Sequence, residues 1–386
     1  MSHFDVIVAG GSISGLMAAR EAAKACATVA VLEEDAEIGT PEHCGGLVSM
    51  EGMKNLGIVP DASAVENSRI RRARILSPSN GFELSAEKQK VVVLDRRALD
   101  KQVALQAQRA SADIRVKCSV RSFNKDGTRY IVKTSEGDFT CDYFVDARGV
   151  ASIINKNRDG VLSSAQYEVF APWIKRDAIE VAFDSERYPG FFAWVIPTGD
   201  GRGKVGVAGK GINAASALKS YMDAKGPYSV VRKVYAPIWV MGPIASFVSG
   251  RTVVVGDAAG QTKPTTAGGI YTCGTGGLLA GRSIAKAIAA GKKDDSILDE
   301  YQKGWSAMFG EEFSKMLVAR RLLERLDNKA LDELFSAIPK DKLEDASSTG
   351  DFDFHTAALA KMLDVKSAGR MAKALLGNEI RRLVDG

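Results

Sequence analysis

Two glycine-rich segments and two acids have the clearest chemistry to do. Gly10-Gly11-Ser12-Ile13-Ser14-Gly15 follows a short apolar run, Phe4–Ala9, and Glu33 closes a second run that begins at Thr28. In such a segment Gly10 lets the chain turn sharply out of a strand, and Gly15 lets the next helix pack closely on the sheet. The free N–H groups of that helix's first turn attract a pyrophosphate, and an acid at the end of the second strand accepts hydrogen bonds from ribose hydroxyls. Ser12 stands where the G-x-G-x-x-G pattern has its second glycine; its Cβ crowds the approach to the phosphates, and its hydroxyl can contact a phosphate oxygen instead. The expected ligand is a dinucleotide. Late in the chain Gly256-Asp257-Ala258-Ala259-Gly260 interrupts the apolar run Thr252–Val255, and Gly268-Gly269-Ile270 opens a glycine-containing helix that runs to about Ala290.

The remaining reactive side chains exclude several chemistries. Cys26, Cys44, Cys118, Cys141 and Cys273 are odd in number and scattered, with no Cys-x-x-Cys pair, which argues against a disulfide framework or zinc site and fits a reducing cytoplasm. His3, His43 and His355 are the only histidines, so a histidine triad or multi-histidine metal site would need nearly all of them, and no metal is expected. The net charge of +5 reads as solubility, with room for weak attraction to anionic membranes or phosphorylated substrates. The one dense basic patch, Arg69, Arg71, Arg72 and Arg74, alternates with Ile70, Ala73 and Ile75 like a solvated strand edge, and no nucleic-acid module accompanies it. The N-terminus has no signal-type leader, and no run of about 18 apolar residues exists, so a cytoplasmic protein without a membrane-spanning helix is expected.

The elements that must position these residues read as an α/β fold. Phe4–Ala9, a helix over Leu16–Ala27 and the strand Thr28–Glu33 form a Rossmann-like βαβ unit in the order dinucleotide binding needs. Val91–Arg96 reads as a strand running into a helix over Arg97–Ala110; Arg115–Val120 and Arg129–Thr134 read as strands of a small antiparallel sheet, and Asp142–Asp146 as a strand before the turn Ala147-Arg148-Gly149. Tyr167–Gly209 is strand-like, with Phe191–Pro197 its most aromatic part and Val205–Ala208 the hairpin partner. Beyond Ala290 the chain reads as helical to its end. Phe313–Leu326, apolar on one side with Lys315, Arg320, Arg321 and Arg325 among those positions, fits a packed helix or a membrane-facing helix with a basic rim. The expected organisation is a discontinuous dinucleotide-binding domain (residues 1–75, 95–160 and 250–300), an inserted antiparallel-sheet substrate domain (76–94 and 161–249) and a helical C-terminal region (301–386).

Three motifs in this order, the N-terminal βαβ, Asp95-Arg96 before a helix, and Val255-Gly256-Asp257-Ala258-Ala259, resemble the FAD-dependent family that includes p-hydroxybenzoate hydroxylase. The resemblance implies that FAD is the cofactor, that Asp257 contacts its ribityl or pyrophosphate portion, that Arg96 sits beside it, and that the helix opening near Gly268-Gly269-Ile270 points its N-terminus at the flavin ring, where its dipole stabilises a reduced anion. Within that family, Pro41-Glu42-His43-Cys44-Gly45-Gly46 is similar to the Pro-x-x-Cys-Gly segment of geranylgeranyl reductases, and Phe192-Ala193-Trp194-Val195-Ile196-Pro197 to their Tyr-x-Trp-x-Phe-Pro motif. The segment Gly256–Tyr271, which includes Pro264, is similar to archaeal and chlorophyll-pathway members, and Ala319–Leu323 to the family's C-terminal region, so the likeness spans essentially the whole chain. Ser12, Arg148 (Asp in many relatives) and Phe192 (usually Tyr) depart from the pattern.

The resemblance implies a flavoprotein oxidoreductase that saturates C=C bonds of geranylgeranyl chains in archaeal-type membrane lipids. An external donor of the NAD(P)H or ferredoxin class would reduce FAD. Cys44 would deliver or orient a proton, and Trp194 and Phe192 would wall the pocket beside the flavin; the cofactor contacts would come from Gly10, Gly11, Ser12, Gly15, Glu33, Cys44, Gly45, Arg96, Asp257, Ala258, Pro264, Gly268, Gly269 and Ile270. From the residues alone Cys44 also reads as a loop or core cysteine, and Trp194 and Phe192 as sheet core. The same cofactor motifs would serve a flavin monooxygenase, or a flavin-loaded carrier without turnover. An isoprenoid substrate requires a long apolar tunnel from the flavin to the surface, with a mouth near basic residues and peripheral contact with the membrane. The helix over Phe313–Leu326 and the Arg69–Arg74 patch are the two candidates for that mouth.

Overall fold

The computed structural model describes residues 1–291 and 294–362. The first sheet is mainly parallel, in the order Val248–Ser249, Thr252–Val254, Gly137–Asp146, Ser2–Ala9, Val29–Leu32, Asp113–Arg115. Only the pairing of Val248–Ser249 with Thr252–Val254 is antiparallel along this path. The strands are buried and apolar over residues 6–9, 29–32, 143–145 and 253–254, where helices or loops cover both faces, which is the pattern of a buried parallel strand. The helix Ile13–Lys24 packs on the sheet and on the helix Ile270–Ala289. Those two helices meet backbone to backbone: a Cβ at Gly277 would collide with the carbonyl of Ser14.

The second sheet runs Ser229–Tyr235, Val161–Phe170, Arg202–Gly209, Ala193–Gly199, Ala178–Ala182, Arg72–Leu76, Gly81–Ser85. One face packs Tyr167, Val169, Val195, Val205 and Val207 against Leu218, Tyr221 and Met222 of the helix Ala214–Asp223. The other face carries Gln166, Glu168, Trp194, Ile196 and Lys204, in register across three neighbouring strands, and turns toward the nucleotide-binding sheet. A third, three-stranded sheet (Leu47–Ser49, Val91–Leu94, Val65–Asn67) lies between.

Several expectations are corrected. A boundary at residues 75 and 76 falls inside the strand Arg72–Leu76, which belongs to the second sheet, and Val91–Leu94 belongs to the third. Arg115–Val120 is not one strand: a bend separates Asp113–Arg115 from Val120–Asp126, with Lys117 at φ 56. The arginine patch is no free edge, because Arg72–Leu76 lies between two strands. Two of its charges are matched there, Arg72 by Asp177 at 2.9 Å and Arg74 by Glu180 at 3.4 Å. The long helix Asp299–Leu323 buries Trp305, Phe309, Phe313 and Met316, so it is a packed helix, and it ends before Leu326. Residues 363–386, read as helical from sequence, lie outside the described residues.

Candidate active site

Gly10, Gly15, Ser12 and Glu33 form one cradle. Gly10 has φ +109, and a Cβ there would sit 2.5 Å from the carbonyl oxygen of Ala147; a Cβ on Gly15 would run into the carbonyl of Gly10. Ser12 is the N-cap of Ile13–Lys24 in an extended conformation (φ -87, ψ 178) that needs no glycine, so this departure from the pattern costs the backbone nothing. No side chain caps that helix and no acid lies in its first turn, leaving its positive end open to an anion. The Glu33 carboxylate is held at the rim by the backbone N–H of Gly11 (2.6 Å) and of Asp35 (2.9 Å).

The Gly256–Ala259 turn closes the other side. A Cβ on Gly256 would strike Ser14 Oγ, so the turn lies directly against the first turn of the N-terminal helix. Asp257 Oδ1 accepts from the Thr262 hydroxyl and, at 3.4 Å, from the Cys273 thiol, which burial and then the Asp257 carboxylate push well above its ordinary range and keep protonated as a donor. Ala258 is buried beneath, its carbonyl accepting from Asn155 at 3.2 Å. Arg148 donates away from the cradle, to the carbonyls of Val120 (2.6 Å) and Ala151 (2.8 Å), so this departure supports the turn and does not obstruct it. Gly269 is the N-cap of Ile270–Ala289, again without a side-chain cap or first-turn acid, giving a second open helix N-terminus. The loop before it, with Pro264 and Gly268, is tied down by the segment 351–356. Lys263 pairs with Asp353 at 2.9 Å, and the Thr265 hydroxyl meets His355 Nε2 at 2.7 Å. Burial, then Lys263, push the His355 imidazole down to about 4, so it is neutral at pH 7.

A third group gathers on the segment Thr40–Gly46. Glu42 is fully buried and accepts from Lys204 Nζ (2.7 Å), Arg232 (2.6 Å) and the backbone N–H of Arg96 (2.9 Å). Burial opposes its ionisation, but Lys204 holds the carboxyl below its ordinary value of 4.5. Lys204, itself buried, also pairs with Glu66 at 2.8 Å. Two residues on, Cys44 Sγ accepts from the Gly46 N–H at 3.4 Å and lies against the Arg96 guanidinium, which pairs with both oxygens of Asp100 at 2.9 and 3.0 Å. The Arg96 Nε is buried without a partner among the described residues, a polar atom suited to a ligand. A Cβ on Gly45 would strike Ile196, so the loop touches the second sheet. The Cys44 carbonyl accepts from Gln166 Nε2 at 3.2 Å, and Gln166 Oε1 accepts from the Trp194 indole N–H at 3.2 Å. The Phe192 ring stacks on Phe191 (centroids 4.0 Å apart, 17° between planes) and stands edge-on to Trp194.

A family model described as an FAD binding domain matches residues 3–215. Digeranylgeranylglycerophospholipid reductase 2 of Methanopyrus kandleri is 30% identical over 367 residues, covering 88% of this chain and 92% of that protein. The protein of the same name from Methanothermobacter thermautotrophicus is 30% identical over 355 residues, covering 87% and 91%. The chain belongs to the digeranylgeranylglycerophospholipid reductase family. It is an FAD-dependent oxidoreductase, and the cradle fits that cofactor through two uncapped helix N-termini, an acid at the second strand and the Gly-Asp turn between them. A geranylgeranyl bacteriochlorophyll reductase-like protein of Thermoplasma acidophilum has the same fold, with a TM-score of 0.84 at 24% identity over 98% of this chain and all of that one.

The reductase family's motifs thus converge around one place, but several residues there have no motif of their own. Gln166, Lys204 and Arg232 were missed from sequence. The available signal was alternation: Gln166 and Glu168 interrupt apolar Ala165, Tyr167 and Val169 at period two, and Lys204 precedes Val205 in a strand that is otherwise nearly apolar. Glu33 gives a direct test of the cradle. Glu33→Ala is expected to weaken FAD binding by roughly tenfold or more, the cost of a hydrogen bond to a charged group. Turnover at saturating FAD should stay unchanged. FAD titration by fluorescence checks this, and an unaltered dissociation constant would place the ribose acid elsewhere.

Proposed function

We propose that the chain saturates isolated C=C bonds of geranylgeranyl chains carried by a glycerophospholipid head. The observation that carries this reading is a cavity of about 380 Å³ lined by Phe183, Tyr188, Phe191, Phe192, Leu323 and Leu331 together with Thr265 of the loop before the second open helix. Aromatic rings and leucines offer a prenyl chain the same environment as its own lipid and exclude water from the reacting carbons. Bound in the cradle, reduced FAD supplies the hydride.

The chain's own residues do the rest. Phe192 and Trp194 wall the site and shield cationic character on the alkene. Cys44 delivers or orients the proton for the less substituted carbon. The cavity lies beside the end of the long helix, where Arg320, Leu323 and Glu324 line it, and no residue of the arginine patch does. Its charged lining is not the basic one expected: Arg320 faces Asp184, Glu324 and Asp327. Arg320 is engaged there with the carbonyls of Gly190 (2.8 Å) and Pro264 (3.3 Å) and with Glu324, so it holds the wall together. Among the described residues no helix is long and apolar enough to cross a membrane. On this reading the lipid is drawn from a membrane that the protein touches peripherally, and an external donor of the NAD(P)H or ferredoxin class would supply the reducing equivalents.

Cys44→Ser tests the proton step. A misplaced or weakened general acid costs about 100-fold or more in turnover, so saturation of the lipid, followed by mass spectrometry, is expected to fall by about that factor with FAD content unchanged. Wild-type turnover in this variant would remove Cys44 from the chemistry.

A further inference from the structure

The second sheet has a bare lane across it. Gly206 lies at the centre of the strand Arg202–Gly209, paired with Trp194 on one side and Gln166 on the other. A Cβ at Gly206 would collide with the indole ring of Trp194. Without that Cβ the indole lies flat over the strand, and its N–H spans it to reach Gln166 Oε1 at 3.2 Å. Gln166 is buried and has its amide fixed by this bond: the oxygen accepts from Trp194, so the Nε2 side must donate, and it donates to the Cys44 carbonyl at 3.2 Å. The carbonyl belongs to the residue whose thiol faces the Arg96 guanidinium, so the amide sets where Sγ stands.

We infer that Gln166 is the positioning residue for Cys44, oriented by the Trp194 indole across the lane left open by Gly206. This rests on the reading that Cys44 serves the reduction. Trp194 then contributes its N–H as well as its ring, and glutamine is required because one group must accept on one side and donate on the other. Methionine fills the space, cannot donate and accepts only weakly. A glutamate does both only while protonated, its carbonyl accepting from Trp194 and its hydroxyl donating to Cys44; once ionised it can only accept and faces the Cys44 carbonyl with like polarity.

The test uses Gln166→Met and Gln166→Glu in the FAD-loaded full chain. Turnover of a digeranylgeranylglycerophospholipid is measured across pH, together with the rate at which iodoacetamide alkylates Cys44, resolved by peptide mass spectrometry so that exposed Cys26 reports separately. Gln166→Met is expected to lower kcat about tenfold or more with KM little changed, since a small displacement of a reacting group costs that much. Its Cys44 alkylation rate should depart from wild type. Gln166→Glu is expected to match Gln166→Met at alkaline pH and to recover toward wild type on the acid side, a profile that a purely structural role would not produce. Wild-type alkylation of Cys44 in Gln166→Met overturns the inference, whether or not kcat falls. Should Gln166→Met not fold, a Gln166→Glu profile parallel to wild type overturns it as well. Cys44→Ser separates the two claims: full turnover in that variant removes the role of Cys44, while the alkylation rates still decide whether Gln166 positions it.

Discussion

Asp257→Ala is expected to yield a folded but nearly colourless protein. Asp257 stands on the Gly256–Ala259 turn, between the first turn of Ile13–Lys24 and the uncapped end of Ile270–Ala289. On the proposed cofactor site its removal withdraws an acceptor from FAD, and it also strands the Thr262 hydroxyl and the Cys273 thiol that orient it. A charge-assisted hydrogen bond contributes about 1.5–3 kcal/mol, and the loss of the oriented turn adds to this, so FAD affinity should fall on the order of 100-fold. Visible absorbance after dialysis, followed by FAD titration, measures the effect, and circular dichroism checks the fold. Stoichiometric FAD retained through dialysis would mean that the Gly-Asp turn does not hold the cofactor.

Glu42→Gln is expected to destabilise the protein more than any other single change near the site. Glu42 is fully buried, and Lys204 and Arg232 reach it from two strands of the second sheet while the Arg96 N–H reaches it from the first turn of Arg96–Arg109. One carboxylate therefore joins the reactive loop, the start of a helix and the substrate sheet. Breaking a buried pair by removing one charge costs roughly 3–5 kcal/mol, because Lys204 keeps its desolvation penalty with only Glu66 opposite. The pH dependence has a definite sign. The fold holds the Glu42 carboxyl below its ordinary value of 4.5, so the pair's contribution is present above pH 4.5 and is lost as pH falls through the folded-state value. Denaturant melts of Glu42→Gln should show the loss at neutral pH and a shallower decline in acid. A wild-type midpoint at pH 7 would show that the network is neutral to stability.

The cofactor half of this molecule was legible because its requirements are local. Gly10 needs a positive φ, Gly15 needs close packing, and Glu33 must end the next strand, so the spacing carries the geometry. The departures were legible as departures but not in their consequence: nothing in the sequence says that Arg148 turns toward the carbonyls of Val120 and Ala151. The substrate half was legible only as a strand-rich region. The strand of Trp194 pairs with the strands just before and after it in sequence, but the partner that its indole N–H finds, Gln166, lies on a strand that is not its neighbour. The arginine patch misled for a related reason. Asp177 and Glu180, which pair with Arg72 and Arg74, are brought alongside by a parallel pairing over about a hundred residues of chain.

The central claim is the reduction itself, and single-turnover saturation of lipid tests it most directly. FAD-loaded protein is reduced with dithionite under anaerobic conditions and mixed with a digeranylgeranylglycerophospholipid, and the product is weighed by mass spectrometry. The account predicts a gain of two mass units per saturated bond, matched by reoxidation of the flavin and suppressed in Cys44→Ser. Reduced, FAD-loaded protein that leaves the lipid mass unchanged, or a product that gains an oxygen atom only when air is admitted with NAD(P)H, would contradict it.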